Sequence, residues 1–383
     1  GYFSYDLCHF IEFLPLKAVD DLHLPECLLA FYDWVITFDH LKKRAYIASS
    51  GFPEQDEDKR LLMAAEKIQS IKDKIYEASS KAGNIYRPHP QFDVFNDNGE
   101  SPGVRLQSTF SPRQYIKAVE TIREYIAAGD IFQVNLSQRF EADLTITPFQ
   151  LYERLRHINP APFAAYLNFD EVKVVSASPE RFLKVSGDHV ETRPMKGTRP
   201  RGASPEEDKA LAKELLDSVK DKAENVMIVD LERNDIGKVC KFGSVKVKEL
   251  WTLEKYATVY QLTSTIEGRL SQSYNRIDLL KACFPGGSIT GAPKVRSMEI
   301  IDELEPTRRS IYTGAIGYLS FDGEMDLNIA IRTILVKDGH AYFQVGGGII
   351  YDSNSVSEYE ETMDKAKALF LSLGVAPRME VSV

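Results

Sequence analysis

The sequence predicts an α+β protein resting mainly on antiparallel sheet. Strand-like stretches outnumber helical ones, and hairpins dominate the connections between them. Asp322-Gly323 and Asp338-Gly339 supply the turn pairs that close two-residue hairpins. A doubly wound sheet does not fit this pattern.

Local signals give each element in order. Residues 1–50 alternate apolar and polar in short runs such as Trp34-Val35-Ile36-Thr37-Phe38, which reads as strands. Residues 53–82 read as a charged amphipathic helix, and 83–111, rich in Pro, Asn, Gly and Ser, as a linker. Ser111-Pro112 opens a helix to about Ala128. Residues 131–140 then alternate, with Phe132, Val134 and Leu136 on one face and Gln133, Asn135 and Ser137 on the other. A helix near 147–158 and strands through 163–193 follow. Ser204-Pro205-Glu206-Glu207 reads as a capping box for one long helix towards Leu231. Strands return at 244–266, a helix covers 289–304, hairpins fill 311–350, and a last helix runs from about Ser355 to Leu373. The expected division is 1–110, a truncated N-terminal portion of the fold with the charged helix and linker, and 111–383, a denser core carrying the chemistry.

Of the 383 residues 43% are hydrophobic and 27% charged, an ordinary globular balance. No apolar run approaches the roughly 20 residues of a membrane helix. A net charge of −9 speaks against a nucleic-acid partner. Cys8, Cys27, Cys240 and Cys283 form no metal-type pair, so reduced thiols in a cytoplasmic enzyme are the simplest reading. The chain opens at Gly1 without a signal peptide, and an N-terminal stretch is expected to be missing.

Lys196 stands in Pro194-Met195-Lys196-Gly197-Thr198-Arg199-Pro200-Arg201, a short segment between a polar strand-like stretch and a helix start. Arg193, Arg199 and Arg201 crowd it with positive charge, and like charge favours the neutral, nucleophilic amine. A basic surface loop is the alternative. Glu358 and Glu361 stand three apart on the last helix with Lys365 four further on, so all share one stripe. That stripe is either a solvated edge or a carboxylate pair for Mg²⁺ with a lysine for a second anion. Glu224 is a third candidate carboxylate. Gly346-Gly347-Gly348 interrupts a strand, as a bulge or as exposed amides for a carboxylate. Pro285-Gly286-Gly287-Ser288-Ile289-Thr290-Gly291-Ala292-Pro293-Lys294 fails as a phosphate loop, because Ala292-Pro293 stands where Lys-Ser/Thr is required. Arg332 in an otherwise apolar strand needs a carboxylate partner. Glu180 in Ser178-Pro179-Glu180-Arg181 is a candidate general acid or salt-bridge member.

Taken together, Gly-Gly-Ser-Ile-Thr-Gly-Ala-Pro-Lys within 284–306, Asp230-Leu231-Glu232-Arg233-Asn234-Asp235 and Gly346-Gly347-Gly348-Ile349-Ile350 resemble the chorismate-utilising enzymes. The resemblance covers nearly the whole chain and implies large, mainly antiparallel sheets in a sandwich flanked by helices. Members that add water carry a lysine where this chain has Gln133; ammonia users carry glutamine. Among ammonia users, those that form anthranilate have alanine at the position of Lys196, and those that form aminodeoxychorismate have lysine. The resemblance therefore implies 4-amino-4-deoxychorismate, the precursor of 4-aminobenzoate and folate, made through a covalent bond from Lys196 to the ring, with Glu180 as acid. It further implies Mg²⁺ on Glu224 and Glu358 with Glu361 assisting. Tyr312, Arg332, Lys365 and the Gly347 and Gly348 amides are expected on the enolpyruvyl carboxylate, and Ser288 on the ring carboxylate. Ammonia is expected from a separate glutamine amidotransferase subunit. Gln261 departs from the pattern, since many relatives have histidine there and glutamine exchanges no proton near neutral pH. The competing readings are an anthranilate-forming large component and a non-catalytic, amino-acid-binding regulatory subunit.

Overall fold

The structure, a computed structural model, describes residues 1–82, 106–256 and 259–375. In chain order the first elements are β1 (Tyr2–Phe3), β2 (Cys27–Leu28), β3 (Trp34–Asp39), β4 (Arg44–Ser49) and α1 (Glu57–Ala82). Then come β5 (Leu106–Ser108), α2 (Pro112–Ala128), β6 (Gln133–Asp143) and α3 (Pro148–Ile158). Next are β7 (Phe163–Asn168), β8 (Lys173–Ser178), β9 (Arg181–Ser186), β10 (His189–Arg193) and β11 (Met195–Pro200). The middle holds α4 (Pro205–Asp217), α5 (Val219–Gly237), β12 (Lys246–Lys255), β13 (Val259–Arg269) and α6 (Arg276–Cys283). The rest is β14 (Gly291–Ala292), α7 (Lys294–Leu304), β15 (Ala315–Leu319), β16 (Met325–Ile329), β17 (Thr333–Lys337), β18 (His340–Ile349) and α8 (Ser355–Ser372).

Capping chemistry sets most helix starts. Ser111 and Gln114 form a reciprocal capping box at α2, Thr147 and Gln150 at α3, and Asn275 and Asp278 at α6, a helix not expected from the sequence. Gly129, at φ +85°, ends α2 in the left-handed conformation that glycine adopts without steric cost. The long helix expected from 204 is two helices. Ser218 breaks it with extended backbone, and its hydroxyl then caps α5 by accepting from the Asp221 N–H. The helix expected from 289 begins only at Lys294. The preceding Gly291 and Ala292 pair instead with Val134 and Gln133 of β6.

Two compact units divide the chain: Gly1–Leu28 with Asp93–Val383, and Leu29–Phe92. The boundary expected at 110 therefore does not match the units. β1 pairs with β15, which binds residues 1–28 into the larger unit. The smaller unit holds the β3–β4 hairpin and α1, with a Lys67–Asp33 ion pair of 3.0 Å. Much of the expected linker, 83–105, lies outside the described residues.

The larger unit holds two antiparallel sheets. One runs β11-β13-β10-β9-β16-β15-β1-β2 with β12 beside β13; the other runs β14-β6-β18-β17-β8-β7 with β5 beside β6. Val134 and Leu136 of the second sheet share one apolar core with Leu183, Val185 and Leu327 of the first. α3 and α8 cover the second sheet, where Leu151, Leu155, Leu369 and Phe370 pack on Phe140 and Phe343. Each such fully buried side chain contributes about 1.5–3 kcal/mol.

Candidate active site

Lys196 lies on a strand, not in a surface loop. β11 pairs with β13 as Met195 with Thr263, Lys196 with Leu262 and Thr198 with Gln261, and the register slips between Lys196 and Thr198. Gly197 supplies that bulge at φ +76°, and a Cβ there would stand 2.7 Å from Leu215 Cδ1 and 2.9 Å from Asp221 Cγ. The Lys196 amine is held below its ordinary value. Burial is the main cause and Lys365 adds to it, while Glu224, Glu180 and Glu361 oppose it. The neighbouring arginines, expected to do this, do not. Arg193 pairs with Glu254, Arg199 with Glu214 at 2.7 Å and Asp221 at 3.2 Å, and Arg201 with Asp208 at 2.6 Å. Their charge is spent locally.

Glu180 follows β8 and is 4% exposed. Ser288 Oγ donates to its Oε1 at 2.7 Å, from the 3-10 turn Gly287–Ile289. Burial pushes the Glu180 carboxyl up to about 7, against the pull of Ser288 and Lys196. The carboxyl therefore carries a proton for much of the time near neutral pH, as a general acid must. These residues are 108 positions apart, so no local pattern announces the pair.

The α8 stripe faces the glycine run. A Cβ on Gly347 would stand 3.3 Å from Glu358 Oε2, 3.5 Å from Glu361 Oε1 and 3.7 Å from Lys365 Nζ. Ser353 Oγ donates to Glu358 Oε1 at 2.6 Å, and Lys365 Nζ donates to Glu361 Oε1 at 2.6 Å and to the Gly346 carbonyl at 2.9 Å. Glu358 is buried, which raises its carboxyl. Burial also acts on Glu361, but Lys365 outweighs it and holds that carboxyl low. Glu224, on α5, is raised mainly by burial, with Lys196 opposing. Its charge is felt by both Lys196 and Glu361, although its oxygens do not join Glu358 and Glu361 in one tight group. The tight cluster among the described residues is His189, Glu191 and Glu267, on the far strands β10 and β13. There Arg181 holds Glu191 at 2.8 Å and Lys248 holds Glu267 at 2.5 Å, so it is an ion-pair network.

Gly348 faces a different neighbour. Its Cβ would meet Gln133 Nε2 at 2.5 Å and Asn135 Oδ1 at 3.0 Å, so a side chain here would displace the Gln133 amide. Arg332 is not in a strand interior. It sits between β16 and β17 at φ +50°, where the chain passes from one sheet to the other. Its nearest polar partner is Asn159 Oδ1 at 3.5 Å, and no carboxylate pairs with it among the described residues. Burial lowers the guanidinium and Glu180 opposes, so it faces the same region with charge to spare. Tyr312 is raised by burial and lies with its ring centroid 5.8 Å from the Arg309 guanidinium. Gln261 is buried with Oε1 unpaired. Among the described residues no side-chain hydrogen bond joins Tyr312 or Gln261 to Lys196 and its neighbours.

Three groups around the site were not read from the sequence. Asn135 bridges Gln133 and the Ser288 carbonyl. Glu232 is buried and raised to about 8 by that burial, with Thr192 Oγ1 donating to it at 2.8 Å. Glu305 and Arg309 form a buried pair whose guanidinium also reaches the Asn135 and Ile289 carbonyls. The signal for the last was present, a Glu and an Arg four apart. Burial alone gives it meaning.

A nucleophilic amine, a protonated acid and an acidic stripe beside a glycine run can together exchange one ring substituent for another on an anionic substrate. The family model described as chorismate binding enzyme matches residues 1–371. The chain is 43% identical over 378 residues to anthranilate synthase component 1 of Thermus thermophilus, covering 98% of this chain and 77% of the relative. It is 40% identical over 375 residues to aminodeoxychorismate synthase component 1 of Bacillus subtilis, covering 96% and 75%. The crystal structure of anthranilate synthase component I from Streptococcus pneumoniae superimposes with a TM-score of 0.82 at 35% identity, over 97% of this chain and 79% of that one.

Proposed function

The chain belongs to the chorismate binding enzyme family, and we propose that it aminates chorismate at C4 as the large component of an aminodeoxychorismate synthase. Overall likeness does not separate this from anthranilate formation, since relatives near 40% identity carry both names. The observation that carries the choice is Lys196, half-buried on β11 with its amine held below the ordinary lysine value by desolvation.

The neutral Lys196 amine adds at C2 of the ring. Both ring double bonds shift by one position, C1=C2 to C1=C6 and C5=C6 to C4=C5, the C4–O bond breaks, and Glu180 gives its proton so that water departs. Ammonia then adds its electron pair at C4. Both double bonds shift back and the C2–N bond breaks with its electron pair on nitrogen, leaving Lys196 as a neutral amine. The ammonium formed at C4 returns a proton to Glu180. The sum is chorismate plus ammonia giving 4-amino-4-deoxychorismate plus water. Arg332, Lys365 and the Gly347 and Gly348 amides would bind substrate carboxylate, and Ser288 both orients Glu180 and borders the ring carboxylate.

Mg²⁺ fits the acidic stripe. Gly347 leaves room in front of Glu358 Oε2 and the Glu361 carboxylate, and burial raises the carboxyls of Glu224 and Glu358, a cost that a bound cation would offset. Glu358 and Glu361, with Glu224, would hold the ion, which when bound would neutralise a substrate carboxylate. The "component 1" in the relatives' names supports a second component, here an amidotransferase that delivers ammonia. No helix among the described residues is long and apolar enough to cross a membrane.

One experiment tests the reading. Chorismate, Mg²⁺ and ammonium chloride at alkaline pH are incubated with the chain, and the product is identified by mass. Aminodeoxychorismate is expected, and turnover is expected to stop in excess chelator. Anthranilate with pyruvate would reassign the reaction, and absence of any turnover would favour a regulatory subunit.

A further inference from the structure

We infer that Asn135 is a positioning residue that fixes the Gln133 side-chain amide with its carbonyl oxygen facing the reaction, and that this oxygen holds the incoming ammonia. The inference rests on the proposed amination. Gln133 and Asn135 lie two apart on β6, so their side chains share one face. Asn135 Nδ2 donates to the Ser288 carbonyl at 3.0 Å. A carbonyl only accepts, so this bond fixes which end of the Asn135 amide is nitrogen and leaves Oδ1 as the acceptor. Gln133 Nε2 donates to that Oδ1 at 3.4 Å. Turning the Gln133 amide over would set oxygen against oxygen. Its Oε1 therefore points away from Asn135, and there it is buried without a partner.

The surroundings keep this arrangement in place. The Asn135 N–H donates to the Thr290 carbonyl at 2.7 Å, and its carbonyl accepts from Arg309 Nη2 at 2.9 Å. Gly348 lies opposite Asn135 in the β6–β18 ladder and leaves the two amides just enough room to meet. Ser288 serves both ends of the chain of contacts, with its carbonyl on Asn135 and its hydroxyl on Glu180.

A buried acceptor lacking a partner recruits a small donor. Ammonia suits it in a way water does not. Ammonia attacks as the neutral molecule, so an oxygen that accepts its N–H and takes no proton is enough to aim the lone pair. Water must lose a proton as it attacks, and an amide is no base.

The test measures initial rates of the full chain against ammonium at saturating chorismate, and against chorismate at saturating ammonium. Gln133→Met removes the acceptor and is expected to raise KM for ammonium about tenfold or more, with KM for chorismate changed by no more than about twofold. Asn135→Ala should raise KM for ammonium in the same direction. Added to Gln133→Met it should raise it no further, because Asn135 acts only through that amide. Asn135→Asp keeps an oxygen for Gln133 Nε2, and its KM for ammonium should lie closer to wild type than that of Asn135→Ala. Additive effects of the two substitutions, or an equal rise in both KM values, would overturn the inference. Product mass, recorded in the same assays, keeps this separate from the parent reading. Aminodeoxychorismate with the wrong KM pattern removes only the role of Asn135, whereas anthranilate with the right pattern removes only the C4 assignment.

Discussion

Glu305 and Glu180 are both 4% exposed, yet their surroundings differ. Glu305 accepts from the Ser137 N–H at 2.8 Å, Ser137 Oγ at 2.9 Å, and Arg309 at 2.7 and 2.9 Å. Arg309 in turn stacks on Tyr5 with its guanidinium 4.9 Å from the ring centroid. Every charge there has a partner within hydrogen-bond reach. Glu180 has one side-chain donor, Ser288, and its charge partners Lys196 and Arg332 act without a direct ion pair. Glu232, close behind it, has only Thr192. The first region is saturated and joins β6 to the turn that carries Ser288. The second is under-compensated, which raises its carboxyls and lowers the lysine amine. Substitutions in the saturated region should cost stability; those in the under-compensated one should cost turnover and spare stability.

The largest effect should come from Lys196→Ala. Product formation should fall about 10³- to 10⁴-fold, equivalent to roughly 4–5 kcal/mol of transition-state stabilisation. The thermal midpoint should stay the same or rise, because a buried, under-compensated amine is removed. A fall in midpoint comparable to that of a core deletion would break the contrast.

Glu305→Gln should act the other way. It strands the Arg309 charge, and urea unfolding should show a loss of about 3 kcal/mol. A loss under about 1 kcal/mol would mean that the pair is not the structural tie its geometry suggests.

Glu232→Gln gives the smallest and most discriminating change. The native carboxyl holds its proton to about 8, whereas the unfolded chain releases it near the ordinary value. Between those values the native state binds more protons, so wild-type stability must fall as pH rises through 8. Glutamine keeps an oxygen for Thr192 and cannot ionise. The variant should match wild type near the ordinary carboxyl value, exceed it increasingly as pH rises towards about 8, and keep a constant advantage above that. Parallel stability curves from pH 5 to 9 would place Glu232 outside the under-compensated group.

Local chemistry was legible in the sequence. Ser111-Pro112 opens α2 where the sequence places it, and α3 falls near the expected 147–158. Asp338 and Gly339, both at positive φ, close the β17–β18 hairpin. Glu358, Glu361 and Lys365 share one stripe because a helix repeats every 3.6 residues. The motifs around Ser288 and Gly347 also sufficed to give the family. Other features needed the fold. The proline–glycine spacing around Lys196 looks like a turn, but β13 recruits it as a bulged strand. Arginines beside Lys196 in sequence looked like the source of its neutrality, yet each is paired elsewhere and burial does the work. Ser218 gave no sign that it would split a helix while also capping the next.

The sequence by itself determined the α+β class, the family and the residue types available for chemistry, because these depend on groups within a few positions of one another. Tertiary structure decided which of those residues meet and in what state. Ser288 reaches Glu180 across 108 positions, and Gly348 closes on Gln133 from the paired strand. The Lys196 amine is lowered, and the Glu180 carboxyl raised to about 7, mainly by loss of water around them. Desolvation and long-range electrostatics depend on three-dimensional surroundings that no stretch of sequence encodes alone.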